Sequence, residues 1–316
     1  MLTLPGVVME EQSGILSAIA DQVILDIVED ESHREYICVA INEWQLFKQK
    51  GNIVIKGKWD KNEVPRHPNW IDFNIEKNNF ILSAPANTFF LEIITLLYEV
   101  YNSRLRNKKS NLSDLLTQSL LDLRNRWKSS NEPIKTKEQM RLIGELIPVI
   151  EAWGVVGRNA LDAWDSDGRA LYDITSESWV IEAKATSKNP ESVWISDPSQ
   201  LDHRIDKSIF LSVTRLNQNK EGKTFPDIID ELLQNLDEED KLMAKVKLNT
   251  QGYSTELKHK YTTKWEIHGT RYLPIDSSSP VLQCSIFDNR PSEVMKITYQ
   301  LKTSEMNDIE IKEFIS

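Results

Sequence analysis

The sequence predicts a mixed α/β (α+β) chain in which an α-β-β-β-α-β-α core lies between two β-rich flanking units. Three observations carry that expectation. Apolar residues recur at helical spacing in several long segments, short β-branched runs separated by turn clusters crowd both ends of the chain, and in the middle three extended pieces follow one another closely between two helices. At about 150 residues per domain, 316 residues suit a division into 1–130, 131–250 and 251–316.

In chain order, the runs Val23–Ile27, Tyr36–Ile41, Asn52–Gly57 and Asn79–Ser83 read as a small antiparallel sheet, broken by Pro65, Pro68 and Asn78. Asn87 or Thr88 is placed to cap a helix carrying Phe90, Ile93, Ile94, Leu97 and Val100, and Leu112–Trp127 repeats the pattern after the start signal Ser110-Asn111. Ser129–Pro133 reads as a linker. Beyond it, Thr136–Trp153 is helical and ends at Gly154, with a kink expected at Pro148. Ala160–Asp165, Ala170–Thr175 and Trp179–Thr186 are then expected to form a tight meander. Asp197-Pro198 opens a short helix to about Asp206, Ile209–Val213 is a buried strand, and Pro226–Lys247 is a long amphipathic helix. In the tail, Thr262–His268, Tyr272–Ile275, Val281–Phe287 and Val294–Leu301 read as strands.

Composition excludes several classes of function. Forty-eight acidic against 38 basic side chains give a net charge of −10, so nucleic acid would have to be met by a local patch. Cys38 and Cys284 are far apart and belong to no CxxC pair, which removes a thiolate zinc module or a disulfide framework and suits a reducing, cytoplasmic setting. The N-terminal stretch lacks the pattern of a signal peptide, and the most apolar segment, Thr88–Tyr101, is shorter than the ~20 residues a bilayer span needs, so no membrane role is expected. GxGxxG, Walker, HExxH and GxSxG patterns are absent.

What remains is a carboxylate and lysine constellation. On an extended strand Glu182 and Lys184 project from one face while Ile181 and Ala183 project from the other. If Ala170–Thr175 pairs with Trp179–Thr186, Asp173 approaches Glu182, and two such carboxylates suit a hard divalent cation, Mg2+ first and Mn2+ as a substitute. A neighbouring lysine can stabilise charge on a phosphate. Taken alone, Glu-x-Lys is more often the pattern of a solvated cross-strand charge pair, and its placement after a hairpin bearing Asp173 is what favours a site.

The residues Gly144-Glu145, Ala163-Trp164-Asp165, Tyr172-Asp173-Ile174, Glu182-Ala183-Lys184-Ala185-Thr186 and Val193–Ser196 leading to Gln200-Leu201 resemble the PD-(D/E)XK nuclease superfamily, and in particular the bacterial PD-(D/E)XK motif protein family. The resemblance is strongest over Gly144–Leu201, and Tyr172 stands where the motif has proline. It implies a restriction-endonuclease-like fold and Mg2+-dependent DNA cleavage without a covalent intermediate. It makes Asp173 and Glu182 metal ligands with the Ala183 carbonyl as a third, Lys184 the catalytic lysine, and Glu145 and Gln200 polar residues of the site. Asp165 is a competing ligand or, more simply, part of the turn Asp165–Gly168. The resemblance also implies a phage-defence or restriction-type setting with MutL-like and helicase-like ATPases and a DNA methyltransferase as partners. Double-strand cutting would further require two active sites and hence an oligomer.

Two segments offer DNA contacts. Between Ser103 and Arg141 ten basic residues face four acidic ones, including Arg104, Arg106, Lys108, Lys109, Arg124, Arg126 and Lys128; this +6 leaves −16 elsewhere. The same residues would equally solvate a helix end and complement its dipole. Lys258–Tyr272 interleaves basic and aromatic residues, as a nucleic-acid strand site or a half-buried strand would. The acidic run Asp227–Asp240 reads as a solvated helix face or a surface for a basic partner. The acidic balance keeps a rival function open: a nuclease-like fold serving as a silent DNA-binding or assembly subunit.

Overall fold

In a computed structural model, residues 37–38, 44–107, 109–129, 132–166, 168, 170–282, 294 and 296–315 are described. The expected run Val23–Ile27 and most of Val281–Phe287 lie outside them. The chain divides into two compact units, residues 1–132 with 236–254, and 133–235 with 255–316.

The first unit is a five-stranded antiparallel sheet backed by helices. Strands β1 (Ile37–Cys38), β2 (Trp44–Gln49), β3 (Asn52–Lys58), β4 (Asp72–Glu76) and β5 (Asn79–Pro85) lie in the order β1-β2-β3-β5-β4. β2 and β4 were not apparent in the sequence. Both tight hairpins turn on two residues with positive φ, Lys50-Gly51 (51° and 78°) and Lys77-Asn78 (46° and 64°). That is the type I′ geometry whose twist matches the flanking strands. Trp44, Trp59, Phe73 and Phe80 fill the core with edge-on and stacked rings 5.2–5.8 Å apart.

Helix α1 (Ala86–Arg106) starts before the expected caps, directly after Pro85, because β5 runs into it and Ala86 N–H donates to Gly51 O at 3.0 Å; its backbone departs from helical geometry at Phe89. Helix α2 (Leu112–Ser129) begins where Asn111 Oδ1 accepts from Ser113 N at 2.7 Å, and packs on α1.

The second unit carries the predicted core. Helix α3 (Thr136–Val156) runs as one helix through Pro148 and ends at Gly157 rather than Gly154. Gly157 adopts φ 62° and its N–H caps Trp153 O at 2.8 Å, the left-handed stop that glycine allows. The expected first strand of the meander is instead a helical turn, α4 (Asn159–Ala163), after which Trp164 makes a single bridge to Ile174. Asn-Ala-Leu-Asp-Ala carries no β-branched residue, so local preference favours the turn. Only Ile174–Thr175 of the second piece is a strand, β6, antiparallel to β7 (Trp179–Thr186), which has the expected bounds.

β8 (Ser192–Ile195) follows. Asp197 then caps Pro198–Leu201 by accepting from Ser199 N, as expected, but the helix stops as a single 3-10 turn. β9 (Ser208–Thr224) is far longer than its buried part suggested, and it lies parallel to β7 with Lys184 level with Val213. The long helix expected after it is two. α5 (Phe225–Leu233) opens with a capping box between Thr224 and Asp227, and α6 (Glu238–Thr250), capped by Asp237, belongs to the first unit, where it packs on α1. The acidic run therefore supplies N-terminal caps and first-turn acids, which favour a helix start.

The expectation of a separate C-terminal β unit is corrected. β10 (Lys264–Ile275) pairs antiparallel with β9 along its length, giving a sheet ordered β10-β9-β7-β6, and β11 (Tyr299–Lys302) pairs with β8. The tail thus completes the core sheet. Apolar side chains of β7, β9, β10, β8 and β11, among them Val180, Leu211, Val213, Leu273, Ile195 and Leu301, close one buried cluster. Arg271 fastens the last segment: it pairs with buried Glu191 at 2.9 Å, and donates to the carbonyls of Thr303 (3.2 Å) and Met306. Arg271→Ala should lower stability in urea unfolding by about 2 kcal/mol, less than a fully buried pair because the guanidinium keeps some solvent.

Candidate active site

β7 is the spine of the site. Its alternation turns Ala183 and Ala185 to one face and Glu182 and Lys184 to the other. Helix α3 packs closely on β7 because Gly144 has no side chain: a Cβ there would stand 2.9 Å from Ala185 Cβ. The next residue, Glu145, is buried, 3% exposed. Gly144→Val should force helix and strand apart and cost about 2 kcal/mol, read by urea unfolding.

The hairpin brings Asp173 to β7 as the sequence suggested. Ile174 stands opposite Ile181, which sets Asp173 beside the Glu182 level, and Asp173 Oδ2 accepts from Ala183 N–H at 2.7 Å. Glu182 is 1% exposed. Lys184 Nζ donates to Glu182 Oε1, while Glu182 Oε2 is buried and has no hydrogen-bond partner. An ionised oxygen left this way is costly, and a cation is the usual remedy.

The electrostatics say the same. Burial, and then repulsion from Asp173, pushes the Glu182 carboxyl up to about 8 against the pull of Lys184. Burial also raises Asp173, opposed by Lys184, by the Ala183 N–H and by Arg141, and reinforced by Asp165. Two carboxyl groups thus share a poorly solvated space in which both are reluctant to ionise together. The two carboxyl groups offer oxygen donors of the kind a hard divalent ion takes, and Asp173, Glu182 and the Ala183 carbonyl are the groups that would hold one. Among the described residues no group of three or more His, Cys, Asp or Glu side chains is gathered to hold a metal by itself, so waters or substrate oxygens would have to complete the coordination.

Glu145 joins this cluster through charge: it contributes to raising Glu182, and it is ion-paired with Arg141, which also binds Glu138 at 2.8 Å. Arg141 had been counted in a DNA-binding patch; the i,i+3 and i,i+4 spacing of Glu138, Arg141 and Glu145 was the available sign of its pairing. Gln200 is held differently. It lies on the 3-10 turn, where its Oε1 accepts from Ser196 Oγ at 3.0 Å. Asp165 forms the turn: its Oδ2 accepts from Ala170 N at 2.7 Å, while its own N–H donates to Asp173 O.

The basic segment is divided: its residues up to 132 belong to the first unit, while Lys135, Lys137 and Arg141 belong to the second. In the first, Arg126 pairs with Glu99 at 2.7 Å and Arg104 donates to Ser110 O, so both serve helix packing; Arg106 and Lys109 are exposed and Arg124 is half-buried. Lys108 and the side chain of Lys128 lie outside the described residues. In the tail, Trp265 is buried on Gln139, Tyr272 donates to Glu151, half-buried Arg271 pairs with Glu191 and Lys258 pairs with Asp230. The aromatic and basic alternation there is that of a half-buried strand.

Helix α3 against a β6-β7 hairpin, a parallel β9 beyond it, and an acid, Glu-x-Lys set on the central strand together define a PD-(D/E)XK nuclease-like fold. Residues 21–304 match the family model described as “Putative PD-(D/E)XK family member, (DUF4420)”, and the chain belongs to that family. Neither the curated proteins nor the solved structures contain a match.

Proposed function

We propose that the chain is a Mg2+-dependent DNA endonuclease whose site is Asp173, Glu182 and Lys184, with Glu145 and Arg141 shaping its charge. The observation that carries this reading is the buried Glu182 carboxylate, with one oxygen on Lys184 and the other unmatched, beside Asp173. A cation held by Asp173, Glu182 and the Ala183 carbonyl would activate a water and polarise a phosphoryl oxygen. Lys184, which donates to Glu182 Oε1, would offer its ammonium to the charge that develops on the phosphate. The Ala183 N–H holds the Asp173 carboxylate on β7 at the level of Glu182. The Glu138-Arg141-Glu145 chain holds a positive charge at the edge of the cluster and offsets part of its repulsion.

By the same reading, the protein works in bacterial phage defence beside ATPases and a DNA methyltransferase, the setting that the motif resemblance suggests. The metal reading is tested by calorimetric titration with Mn2+. Wild type should take up one or two ions per chain, and Glu182→Gln should weaken the uptake at least about tenfold, the usual order for a lost ligand or its support. Equal affinity in both proteins would remove Glu182 from the metal site.

A further inference from the structure

β9 continues past the end of β7. Beyond Thr186, which is level with Arg215, β9 is paired only with β10, and a two-stranded ribbon projects from the site sheet. Along β9 the residues on the Glu182 and Lys184 face are Leu211, Val213, Arg215 and Asn217. The first two are buried in the core; Arg215 is exposed. Its side chain has no ion pair or hydrogen bond among the described residues. The residue opposite it on β10 is Gly269, where an added Cβ would meet nothing within 4 Å, and the next residue on its face, Asn217, is tied to His268 at 3.1 Å.

An unpaired guanidinium therefore stands over cleared space, on the neighbouring strand and two residues along from Lys184. With strands about 4.8 Å apart and about 3.3 Å per residue, the two Cα atoms are separated by about 8 Å. Long Arg and Lys side chains at that separation can each meet one of two neighbouring phosphates on a single strand. Arg is the residue whose planar fork grips phosphate at two oxygens.

We infer that Arg215 is a DNA-backbone positioning residue that holds the phosphate next to the scissile one and sets the strand against Lys184. This rests on the nuclease reading and names how that site takes its substrate. It also gives a chain with a net charge of −10 a positive group beside the site.

The test is equilibrium binding of a fluorescein-labelled 20-base-pair duplex, followed by anisotropy in chelator over a series of KCl concentrations. Wild type, Arg215→Ala, Arg215→Lys and the exposed-lysine control Lys312→Ala are compared, with thermal midpoints checked for each. Arg215→Ala should bind about tenfold more weakly and lose about 0.9 from the slope of log affinity against log salt, the share of one phosphate contact. Arg215→Lys should keep the slope and recover part of the affinity, and Lys312→Ala should match wild type. With Mg2+, Arg215→Ala should raise KM while kcat stays within a few fold. The inference is overturned if Arg215→Ala binds as wild type does or changes no more than Lys312→Ala, or if the wild-type chain does not bind the duplex. The Mn2+ titration above does not involve Arg215, so failure here and failure of the metal site are separate results.

Discussion

Lys184→Ala will cut DNA at least about 10²–10³-fold more slowly than wild type, the usual cost of removing one group aimed at developing charge. It should nevertheless fold and bind metal. The side chain is 20% exposed and leaves the sheet without a backbone role, so its loss does not open the core. On this account its partner Glu182 would still be there to hold the ion. The loss should therefore fall on kcat, with Mn2+ affinity equal to or slightly above wild type, because an ammonium no longer competes for Glu182 Oε1. Asp173→Asn should behave differently, losing cleavage and metal together. If Lys184→Ala keeps cleavage within a few fold of wild type, Lys184 is not the group that meets the phosphate.

The second large effect is on stability in the absence of metal. Glu182 is raised from its ordinary 4.5 to about 8, by burial first and by Asp173 next. Between those values the folded chain holds a proton that the unfolded chain has released. The contribution is therefore fully present below about pH 4.5 and is lost as pH rises through 8. At one pH unit to about 1.4 kcal/mol, the loss by pH 8 is on the order of a few kcal/mol. Glu182→Gln has no such proton to lose. In chelator it should unfold at higher urea than wild type at pH 8 and close to wild type near pH 4.5, and saturating Mn2+ should restore wild type alone. A flat wild-type profile with no gain in Glu182→Gln would mean that the carboxyl is better solvated than its 1% exposure allows.

The contrast between what was and was not legible follows from range. β7 was read with its correct bounds because Trp-Val-Ile-Glu-Ala-Lys-Ala-Thr is extended by its own β-branched residues and bounded by Ser176-Glu-Ser and Ser187. The Asp197-Pro198 start and the Asn111 start were equally local, each a side chain answering an N–H two residues on. Asp173 was placed beside Glu182 from a hairpin that turned out to have only two paired residues, because the turn alone fixes the register.

The misses were those in which distant segments decide. Asn159–Ala163 forms a turn of helix against α3, where alternation suggested a strand. The apolar pattern ran on across Asn235–Asp237, so one helix was expected where Asp237 caps a second that belongs to another unit. Above all, nothing local announces that β10 pairs with β9 or that β9 lies parallel to β7. The position of Arg215 relative to Lys184 depends wholly on that pairing. Gly269, read alone, is an unremarkable residue between His268 and Thr270.

The central claim is that this acid, Glu-x-Lys cluster cleaves DNA with a divalent ion. It is tested most directly by incubating the purified chain and Asp173→Asn with supercoiled plasmid in Mg2+, Mn2+ or chelator and measuring the loss of the supercoiled form. The account predicts nicked or linear DNA from wild type with metal alone, and intact plasmid from wild type in chelator and from Asp173→Asn throughout. Intact plasmid from folded, metal-loaded wild type, or cleavage that survives Asp173→Asn, would contradict it. The first of these results would assign the fold to binding or assembly.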